Sequence, residues 1–191
     1  MVKKLRERGY ANLIGQISKL DKTSNFTPPI IIRAEKFQKF FFIGLMNING
    51  EPSVIEYNVR MGDPETEVVI PRLKTDLVEL FLAVANEKLD EITLQVDERS
   101  ATTIMLVSGG YPEDFEKGKV ISGLETIEDS IVFHAGTKFE NGKVVSNGGR
   151  VLAVTSFGND FQEATKKSYQ NIAKLNFDKM YFRKDIGFDL L

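Results

Sequence analysis

Three polar residues spaced two apart, Glu56, Asn58 and Arg60, have the types and spacing that could do chemistry. Because side chains alternate along a β-strand, all three would lie on one face of the strand predicted over 52–60. A carboxylate and an amide oxygen suit Mg²⁺, which is usually also held by substrate phosphates. A guanidinium one step further along could bind a phosphoryl oxygen bidentately. The pattern therefore fits the phosphate end of a Mg-ATP site, which acts by positioning and charge neutralisation.

The same residues also fit a solvated strand face with a cross-strand salt bridge, and spacing alone favours that interpretation. The opposite face would carry Ile55, Tyr57 and Val59, which we expect to point into a core. Spacing therefore favours a plain polar face but leaves a metal site as the alternative.

The loop after this strand, residues 62–66, has the sequence Gly-Asp-Pro-Glu-Thr and is rich in oxygen groups. Gly-Asp-Pro is a good turn, and Glu65 or Thr66 could cap a following helical turn. Asp63 and Glu65 could instead bind an ammonium group or help to place a metal. Composition alone favours the structural interpretation.

Two later segments combine glycine with polar groups. His134 stands beside apolar residues, where a single histidine is more often structural than catalytic. Gly136 and Thr137 after it could form a turn or a phosphate contact. Residues 147–150, Asn-Gly-Gly-Arg, could form a nest of backbone amides for an anion, with Arg150 adding charge. A plain hairpin loop fits residues 147–150 equally well.

Composition excludes several classes of protein. The 191 residues are 27% charged with a net charge of −2, and the basic residues are scattered, which argues against nucleic-acid or membrane-surface binding. The absence of cysteine excludes disulfides and thiolate sites, and a single histidine excludes a multi-histidine metal site within one chain. No apolar run could cross a bilayer, and the N-terminus lacks the apolar part of a signal peptide. A cytoplasmic protein is the simplest expectation.

Periodicity and turn signals predict an α+β fold of antiparallel hairpins with helices packed on them. Predicted helices span 1–20, 76–87 and 161–174; predicted strands span 39–48, 52–60, 92–99, 102–110, 120–122, 130–140, 143–146, 150–156 and 180–183. Asn-Gly pairs at 49–50 and 141–142 mark hairpin turns. Asp76 and Asp160 each begin a capping box. The short charged segment 97–100 is a candidate domain boundary, and the apolar stripes over 73–84 and 161–175 are expected in the core.

Several segments resemble one enzyme family. VIEYNVRMGDPETEVVIPRLKTDLVELF, residues 54–81, resembles the signature region of the glycinamide ribonucleotide synthetases. SGGYP, GLE, VFHAGT, NGGRVLAVT and YFRKDIG resemble the C-terminal domain of that family, in the same order. The resemblance covers about residues 37–191. It implies an ATP-grasp ligase that makes glycinamide ribonucleotide, ADP and phosphate from ATP, glycine and 5-phosphoribosylamine through glycyl phosphate, the second step of de novo purine synthesis.

The resemblance also implies roles for individual residues. Glu56 and Asn58 would bind Mg²⁺ or Mn²⁺, while Arg60 and Asp63 would face the transferring phosphate as catalytic residues. The implied substrate-binding residues are Glu65, His134, Gly136, Thr137, Gly148, Gly149 and Arg150, those of the C-terminal domain approaching 5-phosphoribosylamine.

The implied domains are the C-terminal half of an ATP-grasp domain over 37–99 and a small, mostly-β domain with one long helix over 100–191. Residues 1–36 do not match the family, and its glycine-rich domain and the first half of its grasp have no counterpart. We therefore expect the isolated chain to be inactive. Two hypotheses follow: a part of the ligase that works only with the missing N-terminal part, or a truncated non-catalytic module. Apolar surface left uncovered would favour self-association.

Overall fold

The computed structural model describes residues 30–31, 42–48, 51–58 and 60–188. The chain forms two compact units, Met1–Gly62 with Asp76–Thr93, and Asp63–Thr75 with Leu94–Leu191. The helix predicted over 1–20 lies outside the described residues. No helix among the described residues is long and apolar enough to cross a membrane.

In the first unit, an antiparallel sheet has the strand order β1–β2–β3. The strands are β1 (Ile30–Ile31), β2 (Phe42–Ile48) and β3 (Glu51–Asn58). Ile48 pairs with Glu51, so the hairpin predicted around the Asn-Gly pair at 49–50 is confirmed. The first part of the predicted strand, 39–41, lies outside the described residues.

A β-bulge changes how β3 presents its residues. The register passes from Leu45 opposite Val54 to Gly44 opposite Glu56, so Ile55 has no partner on β2. An extra residue of this kind interrupts the alternation of a strand. The expectation that Ile55 points into a core was wrong, because its side chain is 62% exposed.

The predicted helix over 76–87 is confirmed as α2 (Leu77–Ala85), which follows α1 (Thr66–Arg72) along the chain. The Asp76 side chain caps α2 by accepting from the amides of Val78 and Glu79, at 2.8 and 3.0 Å. Because these amides have no partner within the helix, the cap fixes its start. A short 3-10 helix, Leu89–Glu91, follows in the same unit.

The second unit has a four-stranded antiparallel sheet in the order β5–β8–β4–β9, and a separate hairpin of β6 and β7. The strands are β4 (Ser100–Ser108), β5 (Ser130–His134), β6 (Thr137–Glu140), β7 (Lys143–Ser146), β8 (Arg150–Gly158) and β9 (Met180–Tyr181). Glu140 pairs with Lys143, which confirms the hairpin predicted at the Asn-Gly pair 141–142. The predicted combination of antiparallel sheets with packed helices is therefore confirmed.

Three strand predictions in this unit need correction. Residues 92–99 form only an isolated bridge, because their backbone bonds to the chain just after α1, as in the 2.9 Å bond from the Lys74 amide to the Gln95 carbonyl. Residues 120–122 likewise form isolated bridges. The single strand predicted over 130–140 is broken into β5 and β6, which belong to different sheets.

The core of this unit lies between the sheet and α3 (Phe161–Ile172), which confirms the predicted third helix. The Asp160 side chain accepts from the Glu163 amide at 2.7 Å and caps α3. The buried apolar residues come mainly from β4, β8 and the end of α3: Ile104, Leu106, Ile121, Val151, Leu152, Val154, Ile172, Leu175 and Phe177. This core supports β8, whose first residue is Arg150.

Candidate functional site

Two of the predicted site residues meet although they lie 87 positions apart in the sequence. The Arg150 Nη2 atom donates to Asp63 Oδ2 at 2.7 Å, and Nη1 donates to the Asp63 carbonyl at 3.3 Å. Asp63 lies in the turn that precedes α1, and Arg150 begins β8, both within the second unit. The structure thus joins the Gly-Asp-Pro-Glu loop to the Asn-Gly-Gly-Arg segment through a solvent-accessible ion pair.

Glycine at position 136 lets the chain pack backbone against backbone next to Arg150. A Cβ atom on Gly136 would lie 2.7 Å from the Gly148 Cα and closer still to the Arg150 carbonyl oxygen. The Gly136 carbonyl accepts from the Asn147 amide at 2.7 Å, and its amide donates to the Val151 carbonyl at 3.2 Å. The predicted substrate-binding glycines at 136 and 148 are therefore brought together.

Gly149 is covered by an aromatic ring that sequence reasoning did not assign to the site. A Cβ atom on Gly149 would lie 2.6 Å from Tyr111 Cε2, so only glycine fits beneath this ring in its present position. Ser108 ties the same turn to β4, because its amide donates to the Gly149 carbonyl at 2.8 Å and its hydroxyl to the Gly148 carbonyl at 3.0 Å. The turn before Arg150 is thus held from two sides.

The anion nest suggested for residues 147–150 is supported only in part. Neither Gly148 nor Gly149 has the left-handed φ of the αR–αL nest. The structure shows no described acceptor for the amide hydrogens of these two glycines, so both remain able to donate. Two such amides beside a guanidinium can bind an anion without a formal nest.

His134 is exposed and ends β5. Its Nδ1 atom lies 2.9 Å from the hydroxyl of Thr137, and Thr137 is the first residue of β6. The contact spans the turn that contains Gly136, so all three predicted residues of the VFHAGT segment lie on one turn. Hydrogen bonding to Thr137 orients the imidazole ring without restricting its access to solvent.

Two glutamates at the start of α1 have buried carboxylate oxygens without a partner among the described residues. Glu65 Oε1 and Glu67 Oε2 are both buried, and neither has a hydrogen-bond partner among the described residues. Glu65 does precede α1, but its side chain makes no capping bond, so the suggestion that it caps a helical turn was wrong. A buried carboxylate oxygen without a hydrogen bond raises the free energy of the folded state. A cation or an ammonium group that binds such an oxygen would lower it.

The remaining predicted residues lie in the first unit. Arg60 is exposed and donates to its neighbour's carbonyl, that of Met61, at 3.1 Å. Glu56 and Asn58 occupy β3 opposite Gly44 and Phe42, on the regular side of the bulge. The described part of the chain contains no group of three or more acidic or histidine residues that could hold a metal ion. The assignment of Glu56 and Asn58 as metal ligands stays a prediction.

Sequence reasoning missed Ser108, Tyr111 and Glu67 as parts of this site. Tyr111 lies in the SGGYP segment, but a tyrosine in a glycine-rich loop gives no signal about what its ring covers. Glu67 lies within α1, a helix of seven residues with a proline at position 71, which obscures the helical pattern. The contacts of Ser108 and Tyr111 with the glycine turn depend on long-range packing, which the spacing of residues does not report.

Comparison with known proteins shows which family the chain resembles. Residues 101–189 match the family described as phosphoribosylglycinamide synthetase, C domain. The phosphoribosylamine–glycine ligase of Escherichia coli O157:H7 is 48% identical over 152 residues, which is 78% of this chain and 35% of that protein. The ligase of the same name from Fusobacterium nucleatum is 43% identical over 162 residues, or 82% of this chain and 38% of that protein.

A solved structure gives the same result. The crystal structure of phosphoribosylamine–glycine ligase from Thermotoga maritima superposes with a TM-score of 0.62 and 36% identity, covering 76% of this chain and 36% of that one. The resemblance noted from the sequence motifs is confirmed. The chain spans just over a third of the length of these relatives.

Proposed function

We propose, from the membership of residues 101–189 in the phosphoribosylglycinamide synthetase C-domain family, that this chain supplies the C-terminal part of a phosphoribosylamine–glycine ligase. The single structural observation that supports the proposal is the 2.7 Å pair between Asp63 and Arg150, which joins two separate family-like motifs in one place. A chance resemblance of two short motifs would give no reason for their residues to meet.

The proposed reaction transfers a phosphoryl group and then forms an amide. A carboxylate oxygen of glycine attacks the γ-phosphorus of ATP, and ADP leaves, which gives glycyl phosphate. The amine nitrogen of 5-phosphoribosylamine then attacks the carbonyl carbon, and inorganic phosphate leaves as the amine loses a proton. Both steps are favoured mainly by holding the reactants in line and by balancing phosphate charge.

In this proposal the residues around β3 serve the phosphate end of ATP. Glu56 and Asn58 would hold Mg²⁺ or Mn²⁺, and the bound metal would neutralise phosphate charge. The Arg60 guanidinium is exposed, and only Nη1 makes a hydrogen bond to a described residue, so it can still present donors to a phosphoryl oxygen. Asp63 would be the second catalytic residue.

The second unit would bind the amine substrate. Arg150 suits the phosphate of 5-phosphoribosylamine together with the amides of Gly148 and Gly149, which have no acceptor among the described residues. A guanidinium and backbone amides are common phosphate donors. His134 and Thr137 lie on the turn that packs against this segment. The unpaired oxygen of Glu65 suits an ammonium group, such as that of glycine.

We further propose that residues 37–99 act as the C-terminal half of an ATP-grasp domain and residues 100–191 as the family's C-terminal domain. The relatives are nearly three times as long as the matched region, and an ATP site needs groups from both halves of the grasp. The isolated chain should then be inactive until the rest of the ligase is supplied.

The second candidate is a non-catalytic module that acts by association. It is favoured by the outer face of α2, where Val78, Phe81 and Leu82 are each more than half exposed. A helix that is apolar on all sides is usually covered by protein. In this case the chain would fold and associate without taking part in ligation.

One experiment separates the two candidates. ADP release from ATP, glycine and 5-phosphoribosylamine should be measured with the chain alone and after adding the N-terminal remainder of a relative such as the E. coli ligase. Release only after addition supports the ligase, and Glu56→Ala should abolish it while Glu140→Gln leaves it unchanged. No release in either mixture, with both polypeptides folded and associated, supports the non-catalytic module. Unchanged release by Glu56→Ala would refute the metal assignment.

A further inference from the structure

We propose that the Asp63 carboxylate is an internal occupant of an anion site at Arg150, and that a phosphate monoester displaces it when substrate binds. The inference rests on the proposed function, which assigns Arg150 to the phosphate of 5-phosphoribosylamine. It adds that Asp63 and this phosphate compete for the same guanidinium, so that one contact replaces the other.

The geometry of the pair suits exchange. Only one carboxylate oxygen of Asp63 is bound, through Nη2, while Nη1 reaches the backbone carbonyl at the longer distance of 3.3 Å. The Arg150 and Asp63 side chains are 39% and 53% exposed, so water and solutes reach both partners. By contrast, Arg99 binds both carboxylate oxygens of its near neighbour Asp97. The Arg150–Asp63 pair is therefore held by fewer hydrogen bonds than the local Arg99–Asp97 pair.

A phosphate monoester would use this site more fully than the carboxylate does. It carries a charge between about −1.5 and −2 near neutral pH and three strong acceptor oxygens. It could accept from the guanidinium and also from the Gly148 and Gly149 amides, which have no described acceptor. Because Ser108 binds the carbonyls of both glycines, the turn that carries these amides is already held in place.

Displacement would also change what Asp63 can do. While paired with Arg150, its carboxylate has one oxygen engaged by a cation. Once released, both of its oxygens can accept hydrogen bonds from an amine, which is the other functional group of 5-phosphoribosylamine. Binding of the phosphate end would thus free a carboxylate for the reacting end of the same substrate, or for the ammonium group of glycine.

The test is a titration of the full chain with ribose 5-phosphate at low salt, followed by NMR or calorimetry. Asp63→Asn should tighten binding about 1.5- to 5-fold, since an exposed ion pair that competes with the ligand is lost. Arg150→Gln should abolish binding. Glu140→Gln is the matched control, because its 2.9 Å pair with Lys138 has similar exposure and the same charge is removed. This control should leave the affinity unchanged.

The outcomes separate the exchange from the proposed phosphate site. If Asp63→Asn binds as the parent does or more weakly, while Arg150→Gln loses binding, the exchange is wrong and the phosphate assignment stands. If Arg150→Gln binds normally, or if neither the parent nor Asp63→Asn binds, both are wrong. Inorganic phosphate and unphosphorylated ribose are the companion ligands: binding of ribose alone would overturn the site, and competition by inorganic phosphate would support it. Mg-ATP competing more strongly than ribose 5-phosphate would overturn the assignment to the amine substrate.

Discussion

Gly136 lies so close to the start of β8 that an alanine there should destabilise the second unit and displace Arg150. The added Cβ would stand 2.7 Å from the Gly148 Cα and closer still to the Arg150 carbonyl oxygen, and both neighbours are backbone. The two segments would have to separate by about 1 Å to reach ordinary van der Waals distance. No side-chain rotation can relieve such an overlap.

The cost can be worked from these contacts. Overpacking in a tight site costs about 1–3 kcal/mol. Separation would also weaken the 2.7 Å bond from the Asn147 amide to the Gly136 carbonyl, and a net hydrogen bond contributes about 1 kcal/mol. The expected destabilisation by Gly136→Ala is therefore about 2–4 kcal/mol, which lowers the urea midpoint by about 1–2 M.

Urea unfolding followed by circular dichroism measures this change, since the chain has no tryptophan to serve as a fluorescent probe. Gly142→Ala is the matched control: a Cβ there meets nothing within 4 Å, although φ is +76°. That variant should lose only about 1 kcal/mol, because it pays for backbone conformation alone. A Gly136→Ala protein within about 0.5 kcal/mol of the parent would refute the packing argument. Equal losses in both variants would assign the effect to glycine flexibility instead.

Two further predictions concern stability. Hydrogen bonds from Arg99 hold the pKa of Asp97 well below its usual range. The ionised pair therefore stabilises the fold at pH values above the pKa that Asp97 has in the unfolded chain. This contribution is lost as the pH falls through the lower pKa that Asp97 has in the folded protein. The stability difference between the parent and Asp97→Asn should therefore shrink as urea titrations move from pH 5 towards pH 2, and a difference independent of pH would contradict the pairing. Asn171 is buried and its amide bonds to the Glu128 carbonyl at 2.8 Å, so Asn171→Leu should cost about 1–3 kcal/mol by leaving that carbonyl unpaired; no loss in urea unfolding would show that the carbonyl finds another donor.

Local signals were enough to predict the two hairpins and the starts of α2 and α3. The two Asn-Gly turns and the caps at Asp76 and Asp160 depend on residues within four positions of one another. Because the residues that make these contacts are close in sequence, a local pattern reports them directly. The family resemblance added expected roles for the candidate site residues, which spacing alone left open.

The errors arose where distant parts of the chain decide the structure. Residues 92–99 alternate as a strand should, but their backbone bonds to the chain after α1, and no strand of the described sheets takes them. The bulge at Ile55 depends on the register with β2, which cannot be read from β3 alone. For the same reason, the sequence named Asp63 and Arg150 as separate candidates and gave no indication that they meet.

The two apolar stripes show what the helical spacing of apolar residues can predict. Both were predicted to lie in the core, and α3 confirms this with Ala164, Ser168 and Ile172 fully buried. On α2, Leu80 is buried but Phe81 is 59% exposed, so the same kind of pattern leads to a different result. An apolar stripe predicts that one face of a helix is buried, but it does not predict which surface buries that face. The exposed apolar side chains of α2 are therefore the surface that the proposed association module would use.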